Sequence, residues 1–289
     1  MARNSLTEQG KPTCERDGQR VVFGELAGER GPIFAKPPVC GVVVGTFAGV
    51  AYVHLQLEAR RRYYPGVPLL VHDDGSPVSG RLAELCQSYG ADFERNTSRL
   101  PPCKGDLSAF AGGFVWARER GVEVLLKLSR RFVPRCNWRD SLSTLALASQ
   151  YATFCSWTTS FNFGFRTECV AMAVEEWWRL GLVGEVAQRI GEPGEPFVEG
   201  FMHDLARRAA RARCGAAREY DARKGERPPE RNGYAVWDWM GTDRRARTKK
   251  FLWHDWASPE EYRALGARWG LKYGLAEYAD ANGGYGSRA

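Results

Sequence analysis

Two adjacent carboxylates, Asp73 and Asp74, close the apolar run Pro68-Leu69-Leu70-Val71-His72 and are followed by Gly75 and Ser76. Neighbouring acids repel unless solvent, a cation or hydrogen-bond donors stabilise both. At the end of a strand, one carboxylate can accept from a nucleobase imide or a ribose hydroxyl while its neighbour caps the next turn. Open α/β sheets keep their ligand crevices at such carboxyl ends. A solvated Asp-Gly turn, with Ser76 or Ser79 capping a helix, explains the same residues without a ligand.

A second run, Val122 to Ser129, brings Lys127, Ser129, Arg130 and Arg131 to a strand end. Guanidinium presents a planar fork that grips phosphate at two points, and burying it without an anion is costly. A diphosphate is therefore the expected partner, with a salt bridge to Glu123 or Asp140 as the structural alternative. Side-chain alternation puts Lys127, Ser129 and Arg131 on one face and Arg130 on the other, so these groups converge only if the chain turns near 130.

Gly45-Thr46-Phe47-Ala48-Gly49 is a glycine-rich junction that can bring backbone amides close to a base or phosphate. It is neither Gly-x-Gly-x-x-Gly nor a Gly-Lys-Ser/Thr phosphate loop. Phe163-Gly164-Phe165-Arg166-Thr167-Glu168 has the form of an active-site loop. Arg166 and Glu168 then lie in the cleft, with the carboxylate taking a proton from a hydroxyl nucleophile. Thr167 as a helix N-cap, with Glu168 in the first turn, accounts equally for the pair.

Glu199 and His203 stand four apart, with Asp204 next. They offer two metal ligands or an acid/base pair, but no third ligand is near in sequence. His54 reads as a core histidine and His72 as a cleft residue. His254, within Trp253-His254-Asp255-Trp256, reads as a stacking group for a base or sugar ring or as packing. Trp237, Trp239, Trp253, Trp256 and Trp269 are half of the ten tryptophans, and packing is the favoured use for them.

These groups need a scaffold, and the chain alternates accordingly. Strands are expected at 39–46, 68–72, 91–94, 122–129 and 153–158, and helices at 48–63, 78–89, 106–120 and 139–152. Near-continuous apolar runs joined by helices indicate a parallel sheet covered on both faces. Beyond Gly164, helices are expected at 167–182 and 201–220. The stretch 191–196 reads as a break and 225–233 as a loop or lid. Residues 1–38 read as a poorly structured or loosely packed arm.

The 289 residues carry a formal charge of +7, and 14 Arg or Lys against 7 Asp or Glu in 203–250 account for the whole excess. Such a segment implies an anionic partner or a solvated helix face. The eight cysteines show no Cys-x-x-Cys spacing, so reduced, packing thiols are expected. No stretch reaches 18 consecutive apolar residues and no apolar segment follows the polar start, so neither a membrane span nor a cleaved signal is expected, and the cytosol is the expected location.

Taken together, Val42-Val43-Val44-Gly45-Thr46, Val71-His72-Asp73-Asp74-Gly75-Ser76 and Leu125-Leu126-Lys127-Leu128-Ser129-Arg130-Arg131 resemble the nucleotide-binding half of a GT-A glycosyltransferase. The resemblance covers residues 39–160. It implies an α/β fold with a GT-A-like, Rossmann-related, mostly parallel sheet flanked by helices and a helical carboxyl-terminal region. It divides the chain into an arm (1–38), a nucleotide-sugar-binding half (39–160) and an acceptor-side helical region (161–289). It also implies that Asp73 and Asp74 contact the nucleotide.

Where that family carries an Asp-x-Asp pair for Mn²⁺ or Mg²⁺, this chain has Ser129-Arg130-Arg131. Two guanidiniums can neutralise a diphosphate leaving group directly, so a metal-independent transferase without cofactor is expected. The nucleotide then lies beside Thr46 and Asp73 and the diphosphate faces Lys127, Arg130 and Arg131, with His203 and His254 as further binding candidates. Glu168 or Asp204 deprotonates the acceptor hydroxyl, assisted by Arg166, in an inverting displacement, although retention stays open. The expected partners are a nucleotide-sugar donor and a carbohydrate or other hydroxyl-bearing acceptor, rather than nucleic acid. Competing readings are nucleotidyl transfer to a sugar phosphate, a basic nucleic-acid-binding module and a noncatalytic scaffold.

Overall fold

Val42, Val43 and Val44 are all fully buried, and so are Leu70, Val71, Leu125, Leu126 and Leu128. Burying each such side chain contributes about 1.5–3 kcal/mol. A strand with both faces apolar is stable only between two covering layers. The computed structural model describes residues 4–6, 12–16, 19–22, 33–101, 103–148, 152–155, 167–194, 196–214, 235–236, 250–253 and 257–279, and it has that layered architecture.

Chain order runs β1 (Asn4–Leu6), β2 (Pro12–Arg16), β3 (Gln19–Val22), β4 (Cys40–Thr46), α1 (Val50–Tyr63), β5 (Leu69–Asp73), α2 (Ser79–Ser88), β6 (Asp92–Arg95), α3 (Lys104–Glu119), β7 (Val124–Ser129) and β8 (Val133–Pro134). It continues with α4 (Arg139–Ala148), β9 (Thr153–Cys155), β10 (Cys169–Ala173), α5 (Val174–Arg179), α6 (Leu182–Gly191), α7 (Val198–Cys214), β11 (Ala235–Val236), β12 (Phe251–Leu252) and α8 (Pro259–Arg268). A short 3₁₀ turn, Leu275–Glu277, follows.

The central sheet has seven strands in the order β11-β9-β10-β7-β4-β5-β6. β7, β4, β5 and β6 pair in parallel, whereas β10 is antiparallel to both β7 and β9. The sheet is therefore mostly parallel. Val42, Val44, Val71, Leu126 and Leu128 face a core built with α1, α2, α4 and α8. Val43, Leu70, Leu125, Val170 and Met172 face the opposite core, built with α3, α5, α6 and α7. α8 has a well-defined start, with Pro259 in its first turn and a capping box between Ser258 and Glu261.

The arm, read as poorly structured or loosely packed, holds an antiparallel sheet of β1, β2 and β3, with Val21 opposite Cys14 and Val22 opposite Thr13. One expectation from the sequence is corrected. The expected helix over 167–182 is instead β10 followed by α5, and α6 begins only after Gly181 in the left-handed conformation. Cys169 to Ala173 are all buried. An apolar run that short suits a buried strand as well as a helix, and the gap between β7 and β9 decides for the strand. The basic helix expected at 201–220 is α7, and the described part of the last expected strand is β9. The expected lid at 225–233 lies outside the described residues.

Candidate functional site

The chain leaves β4 outward to β5 and β6, then returns to β7 on the other flank of β4. This reversal puts a topological switch point at the carboxyl ends of β4 and β7, where open α/β sheets take their ligands. Register places Thr46 opposite Asp73 and Gly45 opposite Ser129. With neighbouring strands about 4.8 Å apart, the ends of β5 and β7 stand about 10 Å apart across β4. The paired acids and the Ser-Arg-Arg segment therefore share one edge of the sheet.

Asp73 is fully buried rather than solvated. Its Oδ2 accepts from the Ser76 amide at 3.0 Å, from Ser76 Oγ at 3.0 Å and from Ser79 Oγ. Its Oδ1 is buried with no donor among the described residues. The carboxylate thus organises the turn into α2 with one oxygen and leaves the other without a donor. The serines are donors to Asp73, and α2 has no side-chain cap of its own.

Asp74 is also buried, and its Oδ1 accepts from Asn96 Nδ2 at 2.8 Å and from the Leu100 amide at 3.1 Å. Burial raises its pKa, and the two hydrogen bonds only partly offset that rise. Gly75, at φ 66°, lets the turn pass against Ser98 and Arg99, where a Cβ would sit 2.4 Å from the Ser98 carbonyl carbon. Asp74 therefore fastens the loop after β6, while Asp73 organises the turn into α2.

Thr46 Oγ1 donates to the Ala48 carbonyl at 2.7 Å, and Ala48 and Gly49 both have positive φ, 54° and 68°. For alanine that conformation costs about 1 kcal/mol. Arg130, 8% exposed, lies against this turn: a Cβ at Gly49 would meet its Cδ at 2.8 Å and its Nε at 2.9 Å. Its Nη1 donates to the Phe47 carbonyl at 2.6 Å. The first turn of α1 has no acidic residue and no side-chain cap. A guanidinium beside the positive end of a helix dipole makes this spot attractive to an anion.

Lys127 goes the other way. It is fully buried on the α3 face, where its Nζ is ion-paired with Asp106, donates to the Thr167 carbonyl at 2.9 Å and stands 4.9 Å from the Phe110 ring. Its acidic partner is thus neither Glu123 nor Asp140. β7 ends at Ser129 and the chain turns there, with Phe132 donating to the Ser129 carbonyl at 3.0 Å. Arg131 is half-buried on that turn. The Ser129 amide donates to the Glu168 carbonyl at 2.9 Å, which fixes the backbone of Glu168 beside the arginine turn. Thr167 and Glu168 precede a strand, so they do not cap a helix.

His203 and Asp204 both lie on α7, which packs mainly on α3 and β9. Asp204 is exposed there. His72 is buried, with Nε2 3.1 Å from Ser108 Oγ and Nδ1 3.6 Å from Glu94. His54 bridges the Tyr89 and Tyr273 hydroxyls at 2.7 and 3.0 Å, and burial lowers its pKa. Arg166 and His254 lie outside the described residues.

Among the described residues, no three His, Cys, Asp or Glu side chains gather as a metal site. The divalent cation implied by the family resemblance needs a set of oxygen ligands. A buried guanidinium against Gly49 and a serine at the end of β7 do not fit that requirement. Sequence reading passed over Asn96, Ser108 and Asp106, which fasten the edge. Asp106 carried a faint signal as an acid in the first turn of a helix.

The architecture is the doubly covered, mostly parallel sheet just described. No protein-family model matches the chain, and no curated protein matches it. Among solved structures, it is similar to the mannosyltransferase PcManGT from Pyrobaculum calidifontis, in complex with GDP-Man and Mn²⁺, at 15% identity and a TM-score of 0.44 over 64% of this chain and 57% of that one. It is similar to the glycosyltransferase GlyE of Streptococcus pneumoniae TIGR4 at 11% identity and a TM-score of 0.43, over 59% of this chain and 44% of that one. A cytidylyltransferase from Leptospira borgpetersenii matches at 11% identity and a TM-score of 0.37, over 58% of this chain and 73% of that one. The chain thus spans about half the length of the first two.

Proposed function

We propose that this chain is a glycosyltransferase that moves a sugar from a nucleotide-diphosphate donor to an acceptor hydroxyl. The observation that carries the reading is the pair of groups set side by side at the switch point. On one side of it, a buried guanidinium lies against a glycine turn at a helix amino terminus. One strand from that turn is a buried carboxylate with an oxygen that lacks a donor. An acceptor and a cation at that separation suit a ligand with hydrogen-bond donors at one end and phosphates at the other.

In this reading Asp73 Oδ1 accepts from the base or ribose beside Thr46, and Arg130 and Arg131 neutralise the diphosphate. Asp74 supports this nucleotide subsite by fixing the adjoining loop. Glu168 removes the proton from the acceptor hydroxyl. The acceptor oxygen bonds to the anomeric carbon as the carbon–oxygen bond to phosphate breaks, and the nucleoside diphosphate leaves with the bonding electrons. The two arginines stabilise the charge that develops on that leaving group, a task needing no divalent cation. In-line displacement of this kind inverts the anomeric centre.

The test is a screen of nucleotide sugars in the presence of EDTA, with product identification. The reading expects slow hydrolysis without acceptor and release of nucleoside diphosphate. Release of pyrophosphate would indicate nucleotidyl transfer instead, and absence of both binding and turnover across the panel would overturn the proposal.

A further inference from the structure

The turn that carries Arg130 and Arg131 has all four of its carbonyls tied down by side chains from elsewhere. The two N–H groups of Gln56 Nε2, on α1, are shared among the carbonyls of Ser129 at 3.1 Å, Arg130 at 3.3 Å and Phe132 at 2.6 Å. Tyr262 Oη, on α8, donates to the carbonyl of Arg131. Gln56 is fully buried and Tyr262 nearly so.

Gln56 interrupts the buried run Val53-Leu55-Leu57 of α1, where an amide costs free energy unless it is hydrogen-bonded. Its orientation is dictated by the turn. The opposite flip would set Oε1 against three carbonyl oxygens, so the NH₂ group must face them. Oε1 itself is buried without a donor among the described residues, a cost accepted on the far side of the same amide. Tyr262 is braced edge-on by Tyr52, their ring centroids 5.0 Å apart.

We infer that Gln56 and Tyr262 are positioning residues that hold the arginine turn so that the Arg130 guanidinium stays against Gly49. This rests on the proposed role of Arg130 at the diphosphate. It extends the site to two residues that do not touch the ligand, one of them on the carboxyl-terminal helix. Without the clamp, the turn keeps its own Phe132-to-Ser129 hydrogen bond and the Arg130 amide bond to Gly45, but its carbonyl side is free to rotate.

The test compares full-length wild type with Gln56→Met and Tyr262→Phe, substitutions that keep shape and remove the donor. One arm follows amide hydrogen exchange without nucleotide. Both variants are expected to exchange about tenfold faster in a peptide spanning 127–134, with the α3 peptide unchanged. The other arm titrates UDP, GDP and CDP into each protein and into the same variants combined with Arg130→Ala. Each clamp substitution is expected to weaken binding about tenfold alone and clearly less once Arg130 is gone, Arg131 on the same turn accounting for what remains. Unchanged exchange in both variants, or an undiminished loss in the Arg130→Ala background, overturns the inference. If wild type binds none of the three, the diphosphate role falls, and the exchange arm alone decides whether these residues hold the turn.

Discussion

The two ends of the central sheet treat buried charge in opposite ways. At the amino-terminal end, beside the last turn of α1, the Glu58 carboxylate accepts from Arg61 through both oxygens, from Arg62 Nε at 2.9 Å and from the Tyr89 hydroxyl at 2.6 Å. Burial pushes the Glu58 pKa up, but the hydrogen bonds from Arg61, Tyr89 and Arg62 outweigh it and leave the group below its ordinary range. Arg60 is likewise consumed by the carbonyls of Val67, Tyr89 and Gly90. At the carboxyl-terminal end, Asp73 keeps a bare oxygen. A cavity of about 560 Å³, lined in part by Glu58, Arg61, Pro65 and Tyr89, opens at the matched end. Its acid is already satisfied by hydrogen bonds from the chain itself. The unmatched carboxylate is the better guide, because an orphaned buried acceptor costs free energy that a ligand recovers.

The largest effect expected from breaking this contrast is at Lys127. Asp106→Asn leaves the fully buried Lys127 ammonium without its charge partner and is expected to cost about 3 kcal/mol in urea unfolding. Adding Lys127→Met should restore much of it. If Asp106→Asn is neutral, the lysine is not held by Asp106 as described.

Asp73→Asn comes next. An amide can still accept from Ser76 and Ser79 through its oxygen, but it puts an NH₂ group where the ligand meets a bare acceptor. Nucleoside diphosphate affinity should fall about 10- to 100-fold in calorimetric titration, with a smaller loss of stability. Undiminished affinity would remove Asp73 from the site.

Glu58→Gln, at the matched end, should cost about 1 kcal/mol of stability and leave nucleotide affinity unchanged. The Glu58 pKa is lowered in the folded protein, so its contribution is present above the ordinary carboxylate range and is lost as pH falls through the folded value.

Asp74 has the opposite sign and the smallest effect. Its raised pKa means that stability falls as pH climbs from the unfolded value through the folded one. Asp74→Asn should abolish that decline and, at neutral pH, leave stability within about 1 kcal/mol of wild type or above it. Unfolding midpoints measured in buffers from below the ordinary carboxylate range up to neutral give both slopes, and parallel slopes for the two variants would contradict the assignment.

These contrasts also explain what could be read from the residues alone. Strands β4, β5 and β7 were legible because both of their faces are buried, which writes an uninterrupted apolar run. Strand β10 was not, since five buried residues beside an amphipathic helix carry no period of their own. Asp73 and Asp74 stood out as a pair, but their division of labour depends on Ser79 on one side and on Asn96 and Leu100 on the other. The pairing of Lys127 with Asp106 and the grip of Gln56 on the turn join elements brought together only by the fold. A lone amide within the apolar run of α1 was their single trace.

The most direct test is a crystal of the full chain soaked with several nucleoside diphosphates. Density is expected at the switch point, with the base or ribose within hydrogen-bond reach of Asp73 Oδ1 and the phosphates at Arg130. Density seated instead in the cavity beside Glu58, or none at the β4–β7 edge at saturating nucleotide, would contradict it.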